Sequence, residues 1–213
     1  MQPYFMPYAG YFRLLAATDL FVVYDCVQFP RRGWVHRNKL PDAQGRPQWL
    51  TLPLAPADVD TAICDLQFRD GARDDFERQM RRFPSLATVP TELRERLLDF
   101  SGTPVDYLER TLAHACASMG MPFNTVRSST LGLPGALRGQ DRILAIAKAF
   151  KATRYLNASG GTALYNAADF SSQGIELQFL PEWQGDFSSV LERLLREPPG
   201  RIADDIRRQC TRP

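Results

Sequence analysis

Three polar segments of the chain have the residue types of a site for an anionic small molecule. Asp25 and Gln28 form the first segment, Ser128 and Ser129 the second, and Ser159-Gly160-Gly161 the third. A carboxylate can take a proton from an attacking amine, while hydroxyls and glycine backbone amides can hydrogen-bond a phosphate or a carboxylate. We therefore predict that Asp25 and Gln28 are catalytic and that the serines and glycines bind substrate.

Each of these residues also has a structural interpretation. Asp25 is as well placed to cap a turn as to act as a general base, and Gln28 can hydrogen-bond the loop backbone instead of a substrate. Cys26 could be a nucleophile, because the nearby arginines would lower the pKa of its thiol. A lone cysteine next to a strand is more often a packing residue, and packing is the favoured interpretation here.

A basic segment follows the first of these polar segments. Arg32 and Arg37 could clamp a phosphate or carboxylate with paired hydrogen bonds, Trp34 could stack on a base or sugar, and Asn38 could add a further polar contact. The alternative is a solvated basic loop with Trp34 anchored in the core. Arg142, on a helix predicted after the serine pair, could reach the same anion or form a surface salt bridge.

The N-terminal segment offers a second anion site. The run Pro7-Tyr8-Ala9-Gly10-Tyr11 is similar in layout to the HxGH loop of class I nucleotidyltransferases, with tyrosines at both histidine positions. A glycine allows close backbone approach, and the following helix N-terminus would favour an anion. Without the histidines we expect a shared nucleotide-type fold and not shared chemistry. The residues assigned to substrate binding here are Gln2, Tyr4, Tyr8, Gly10 and Tyr11.

The opening Met1-Gln-Pro-Tyr-Phe-Met-Pro-Tyr-Ala-Gly-Tyr-Phe12 closely resembles the start of WbqC-like family proteins. Further matching segments run along nearly the whole chain: Asp25–Phe29, Arg32–Trp34, Arg37-Asn38, Trp49–Leu54, Ser128-Ser129, Arg142, Tyr155, Ser159–Gly161, Phe170 and Gly174-Ile175. One departure is Cys26, where the family commonly has a second acidic residue. Any role for an acidic pair in this loop is therefore in doubt here.

The resemblance implies a cytoplasmic bacterial protein linked to O-antigen or other surface-glycan biosynthesis. Proteins of this type have been named glycine transferases, which suggests aminoacylation of an amino sugar. The leading hypothesis is therefore a transferase acting on a nucleotide-linked amino sugar or an activated amino acid. The alternative is a non-catalytic protein that binds a nucleotide or sugar nucleotide for a biosynthetic complex.

These segments must be positioned by a predicted α/β fold with a Rossmann-like, mostly parallel sheet flanked by helices. Apolar and alternating runs predict strands at 21–24, 49–54, 63–68, 123–127, 154–157 and 175–180. Helical spacing predicts helices at 10–17, 74–82, from 90, from 104 to about 119, at 138–150 and after 184. We predict a single domain over 1–213, with a helical insertion at about 72–120 and a loosely attached C-terminal helix at about 198–213.

A Rossmann-like sheet needs a complete strand before the loop at Pro7–Tyr11, and only a few residues precede that loop. We therefore expect a very short first strand, or a natural protein that starts upstream of Met1 with apolar residues. Without any strand pairing between Met1–Tyr4 and Phe21–Tyr24, the sheet prediction would be weakened.

Composition narrows the partners. The 213 residues carry a formal charge of +2, with four cysteines and two histidines. No CxxC pair occurs, so the sequence predicts reduced thiols and no metal site. No apolar run is long enough to span a bilayer, and only two arginine-rich segments favour nucleic acid, so we expect an anionic small molecule as the partner. The residues specify neither a cofactor nor an oligomeric state.

Overall fold

The computed structural model describes residues 1–210 of the chain as a mixed α/β protein. The strands are β1 (Phe21–Val23), β2 (Arg37–Pro41), β3 (Pro47–Thr51), β4 (Thr125–Arg127), β5 (Arg154–Asn157) and β6 (Glu176–Phe179). The helices are α1 (Phe12–Ala17), α2 (Ala72–Met80), α3 (Thr91–Leu97), α4 (Pro104–Ser118), α5 (Gly139–Ala149), α6 (Ala167–Ser171), α7 (Val190–Arg196) and α8 (Pro199–Arg208).

The described strands pair in twos. β1 lies parallel to β4, β5 lies parallel to β6, and β2 and β3 form an antiparallel hairpin. This confirms a mixed α/β chain with short parallel pairs flanked by helices. A single large Rossmann-like sheet is not formed by these hydrogen bonds, because β1 and β5 are not joined to each other.

The helical middle of the chain follows from local signals. Pro104 begins α4 behind a Thr103 cap, whose hydroxyl accepts from the Asp106 amide while the Asp106 carboxylate accepts from the Thr103 amide. This reciprocal capping satisfies amide groups that a helix start leaves unpaired. Gly120 follows the helix with a φ of +61°, the left-handed conformation that commonly ends helices.

The N-terminal strand is reduced to one residue. The Met1 amine donates to the Val22 carbonyl at 2.9 Å, and the Tyr24 amide donates to the Met1 carbonyl at 2.9 Å. These two bonds are the parallel-strand pattern around Val23. The expected very short first strand is therefore present as a single paired residue beside β1.

Two predicted elements differ in the structure. The segment 63–68 is not a strand: Ile63–Asp65 forms a 3-10 turn, and Ile63 and Leu66 are both buried. Apolar residues three apart lie on the same side of such a turn, whereas a strand would place them on opposite faces. The predicted basic loop is also partly regular, since Arg37 and Asn38 begin β2.

The C-terminal helix is attached more firmly than predicted. Ile202, Ala203 and Ile206 of α8 are fully buried, and α8 packs against α1. Burial of three apolar side chains stabilises this attachment by several kcal/mol, at about 0.8 kcal/mol per buried methylene. The last three residues of the predicted segment 198–213 lie outside the described residues.

Candidate functional site

The ends of β1 and β4 are joined by a buried carboxylate. Asp25 is 0% exposed, and its Oδ1 accepts from the Ser128 hydroxyl and the Ser129 amide, each at 2.9 Å. Its Oδ2 accepts from the Ser129 hydroxyl at 2.6 Å, and the Ser128 hydroxyl in turn accepts from the Asp25 amide. The structure thus brings three predicted site residues together, but it uses the carboxylate to hold two strand ends.

Arg142 lies beside this junction. Its Nη1 donates to the carbonyl and to the Sγ of Cys26, at 3.0 and 3.1 Å, and its Nε donates to the Leu137 carbonyl at 2.9 Å. Its Nη2 lies 3.4 Å from the Pro134 and Gly135 carbonyls. With this many protein acceptors, Arg142 contributes positive charge to the strand ends but has few donors left for a ligand.

An aromatic crevice lies where β1 and β5 end. The hydroxyl groups of Tyr155 and Tyr165 are 3.4 Å apart, and Asn157 Nδ2 lies 3.4 Å from the Tyr165 hydroxyl. Burial raises the pKa of Tyr24 to about 12, an effect to which Cys26 adds and which Arg142 opposes. These tyrosines are therefore neutral hydrogen-bonding groups at physiological pH. Sequence reasoning missed them, although aromatic residues at successive strand ends were a visible signal.

The predicted Ser159-Gly160-Gly161 turn forms part of a 3-10 helix over Ser159–Leu164, directly after β5. A Cβ at Gly161 would lie 2.7 Å from Asn157 Nδ2, so the glycine lets the Asn157 amide approach the turn. Gly160 has open space around it, and Ser159 is half-buried. The turn therefore lies at the predicted strand end.

The N-terminal motif is packed into the protein. The Tyr11 hydroxyl donates to the Gln2 carbonyl at 2.9 Å, and the Tyr4 and Tyr11 rings lie 5.6 Å apart. Asn38 Nδ2 donates to the carbonyls of Phe5 and Met6, which ties the motif to β2. Tyr11 is buried and burial raises its pKa well above the ordinary value.

Gly10 supports aromatic packing and is covered. A Cβ on Gly10 would lie 2.3 Å from Tyr8 Cε2 and 2.8 Å from Trp183 Cγ. The helix that follows, α1, has only six residues. The geometry therefore gives no open phosphate site at the position that the HxGH similarity suggested.

This packing gives a direct prediction. Gly10→Ala should lower the free energy of unfolding by about 1–3 kcal/mol, because two aromatic side chains must shift to admit the methyl group. Urea unfolding would measure it. Gly160→Ala is the matched control, since a Cβ there meets nothing within 4 Å. Equal stability of the two variants would show that Gly10 is not a packing glycine.

The β2–β3 hairpin carries the exposed part of the predicted site. The Trp34 and Trp49 rings lie 5.2 Å apart, and Trp34 is 44% exposed. The Arg37 guanidinium lies 4.1 Å from the Trp49 ring centre, and the Lys39 ammonium lies 4.9 Å from it. We call Trp34, Arg37, Lys39 and Trp49 the hairpin platform.

The cations of this region are free of acidic partners. Within residues 1–210, no ion pair joins a carboxylate to Arg31, Arg32, Arg37 or Lys39. Arg32 is exposed, whereas Arg31 donates to the Ala57 carbonyl. Free cations beside an exposed indole are suited to an anion that carries a ring.

Gln28 and the hairpin platform lie apart from the strand-end group in their contacts. Gln28 is exposed and donates to the Val59 carbonyl, which is the loop role that was its alternative. In the described part of the chain, no hydrogen bond or ring contact joins the platform to Ser128, Ser129 or Arg142. Sequence reasoning missed Lys39 and Trp49, which a hairpin turn with Gly45 at φ +74° would have indicated.

The fold defines the class as a mixed α/β protein with short parallel strand pairs. The chain belongs to the WbqC-like protein family, whose model matches residues 2–187. It is also similar to the uncharacterized protein Rv1507c of Mycobacterium tuberculosis strain H37Rv, with 41% identity over 54 residues. That match spans 25% of this chain and 23% of the relative. No solved structure matches the chain significantly.

Two searches of residues 1–210 complete the description. None of the described helices has the length and apolar character needed to cross a membrane. The same residues contain no cluster of three or more histidine, cysteine, aspartate or glutamate side chains that could hold a metal ion.

Proposed function

We propose that the protein binds a nucleotide-linked amino sugar, or a similarly activated amino acid, on the hairpin platform. The observation that carries the proposal is the combination of stacked, partly exposed indoles with cations that have no carboxylate partner. The base or sugar ring would stack on Trp34, and the phosphate groups would face Arg32, Arg37 and Lys39.

Arg37 supports this assignment through its geometry. Its Nε donates to the Gly33 carbonyl at 3.2 Å, and its guanidinium stacks on Trp49. Both contacts fix the orientation of the side chain while leaving its terminal nitrogens available. A fixed planar cation loses little conformational freedom when it pairs with a phosphate or a carboxylate.

Aminoacyl transfer is the second candidate activity. It is favoured by His36, whose pKa is lowered to about 4 by burial and by Arg37, so that the imidazole is neutral at physiological pH. Its Nδ1 has no hydrogen-bond partner among the described residues. Asp25 favours the non-catalytic alternative, because serine and amide groups already occupy both of its buried oxygens.

The binding proposal predicts a clear effect of Arg37. Arg37→Ala should weaken binding by about 10- to 150-fold, the equivalent of about 1.5–3 kcal/mol for hydrogen bonds to a charged group. Arg37→Lys should recover only part of this loss, because an ammonium cannot form the paired hydrogen bonds. A thermal-shift screen of nucleotides, nucleotide sugars, aminoacyl donors and phosphate would select the ligand, and calorimetry would give the affinities.

Arg81→Ala is the matched control, since Arg81 is an exposed arginine away from the hairpin. Unchanged affinity in Arg37→Ala would remove the platform from the proposed site. Mass spectrometry of the best ligand mixed with an aminoacyl donor would separate the two candidates, because only the transferase forms an acylated product.

A further inference from the structure

We propose that the cleft between β1 and β5 is a slot for one more parallel β-strand, and that its occupant is an apolar extended segment whose carboxyl end joins Met1. The cleft has a volume of 330 Å³. It is lined by the facing parts of both strands, including Val22 and Leu156. A strand there would merge the two parallel pairs into one sheet with the order β4-β1-slot-β5-β6.

Both walls of the cleft are strand edges with unused hydrogen-bonding groups. The Phe21 amide donates to the Asn124 carbonyl, so Phe21 and Val23 face β4 and the intervening Val22 faces the cleft. On the other wall, the Thr153 and Asn157 carbonyls accept from β6, so the backbone of Leu156 also faces the cleft. Among the described residues, the Val22 amide and both backbone groups of Leu156 lack partners. Buried peptide groups are rarely left in this state.

Met1 shows the direction in which the occupant runs. Its two bonds to β1 follow the parallel pattern, so residues joined to its nitrogen would run beside Val22 and Phe21 into the cleft. The terminal amine occupies the position of a peptide N–H, and its burial lowers its pKa to about 5. A peptide bond at that nitrogen would remove an ionisable group from a buried position.

The surroundings specify an apolar strand. Leu14 and Ala17 of α1 line the cleft, together with Ile143, Ile146 and Phe150 of α5. Strands covered by helices in parallel sheets have near-continuous apolar sequences. The occupant is therefore a β-branched apolar run and not an alternating or charged segment.

The test compares two leaders fused to Met1, the apolar Met-Val-Ile-Val-Ile and the polar Met-Gly-Ser-Gly-Ser. We expect the apolar leader to raise the melting temperature by at least about 6 °C over the unextended chain, and the polar leader to leave it nearly unchanged. Amide hydrogen exchange at Val22 and Leu156 should slow by about a hundredfold with the apolar leader only. Equal effects of the two leaders, or unchanged exchange at both amides, would overturn the proposal.

Two controls test the slot and its occupant. Val22→Pro removes the amide on the cleft side without touching the β1–β4 hydrogen bonds, so the apolar leader should lose its advantage in that background. The free peptide Val-Ile-Val-Ile should protect the two amides far less than the fused leader does. Equal protection by the free peptide would mean that a separate chain fills the slot, contrary to the proposal.

Discussion

Asp25→Ala should lower the free energy of unfolding by about 3–5 kcal/mol, which corresponds to a fall in melting temperature of about 6–20 °C. The carboxylate is fully buried and accepts three hydrogen bonds from Ser128 and Ser129. Its removal leaves these donors without an acceptor and releases the contact between the ends of β1 and β4. Asp25→Asn should cost less, because the amide keeps one acceptor oxygen and the serine hydroxyls can rotate.

The matched control is Asp19→Ala, an exposed aspartate at the opposite end of β1. Its effect should stay within about 0.5 kcal/mol, as for most surface substitutions. Thermal and urea unfolding of the three variants would measure the difference. If Asp25→Asn kept full stability but abolished turnover of an identified substrate, Asp25 would be the general base that its position in the sequence suggests.

The parallel pairs show what the sequence could predict. The run 154–157 is a strand with the predicted limits, and the predicted helix at 138–150 is α5 within one residue at each end. Both have strong local signals, an apolar run and apolar residues at helical spacing. The run 63–68 has apolar residues that fit either an alternating strand or a tight turn, and only contacts with distant residues decide between them.

The polar residues show what the sequence could not predict. Asp25 and Asn38 have the residue types of a catalytic base and a ligand-binding amide, yet both are bonded within the protein. A sequence gives the type of a polar group but not whether the fold already supplies its partners. Arg37 and Trp34, by contrast, remain accessible, because the hairpin turns their charge and ring surface outward.

The second large effect is expected at Asn38. Met6 has a φ of +44°, in the left-handed region that costs a residue with a side chain about 1–2 kcal/mol. Asn38 Nδ2 donates to the carbonyls of Phe5 and Met6, and the Ser189 hydroxyl donates to the Met6 carbonyl at 2.7 Å. These bonds hold the strained turn of the N-terminal motif against β2 and α7.

Asn38→Ala should therefore lower the free energy of unfolding by about 2–4 kcal/mol, because it removes two hydrogen bonds from buried carbonyls and part of the restraint on Met6. Urea unfolding would measure the loss, and Ser189→Ala should show a smaller loss in the same direction. Asn124→Ala is the matched control, since that exposed amide donates only to the Asp19 carbonyl. A stable Asn38→Ala variant that no longer binds its ligand would contradict the structural role and return Asn38 to the binding site.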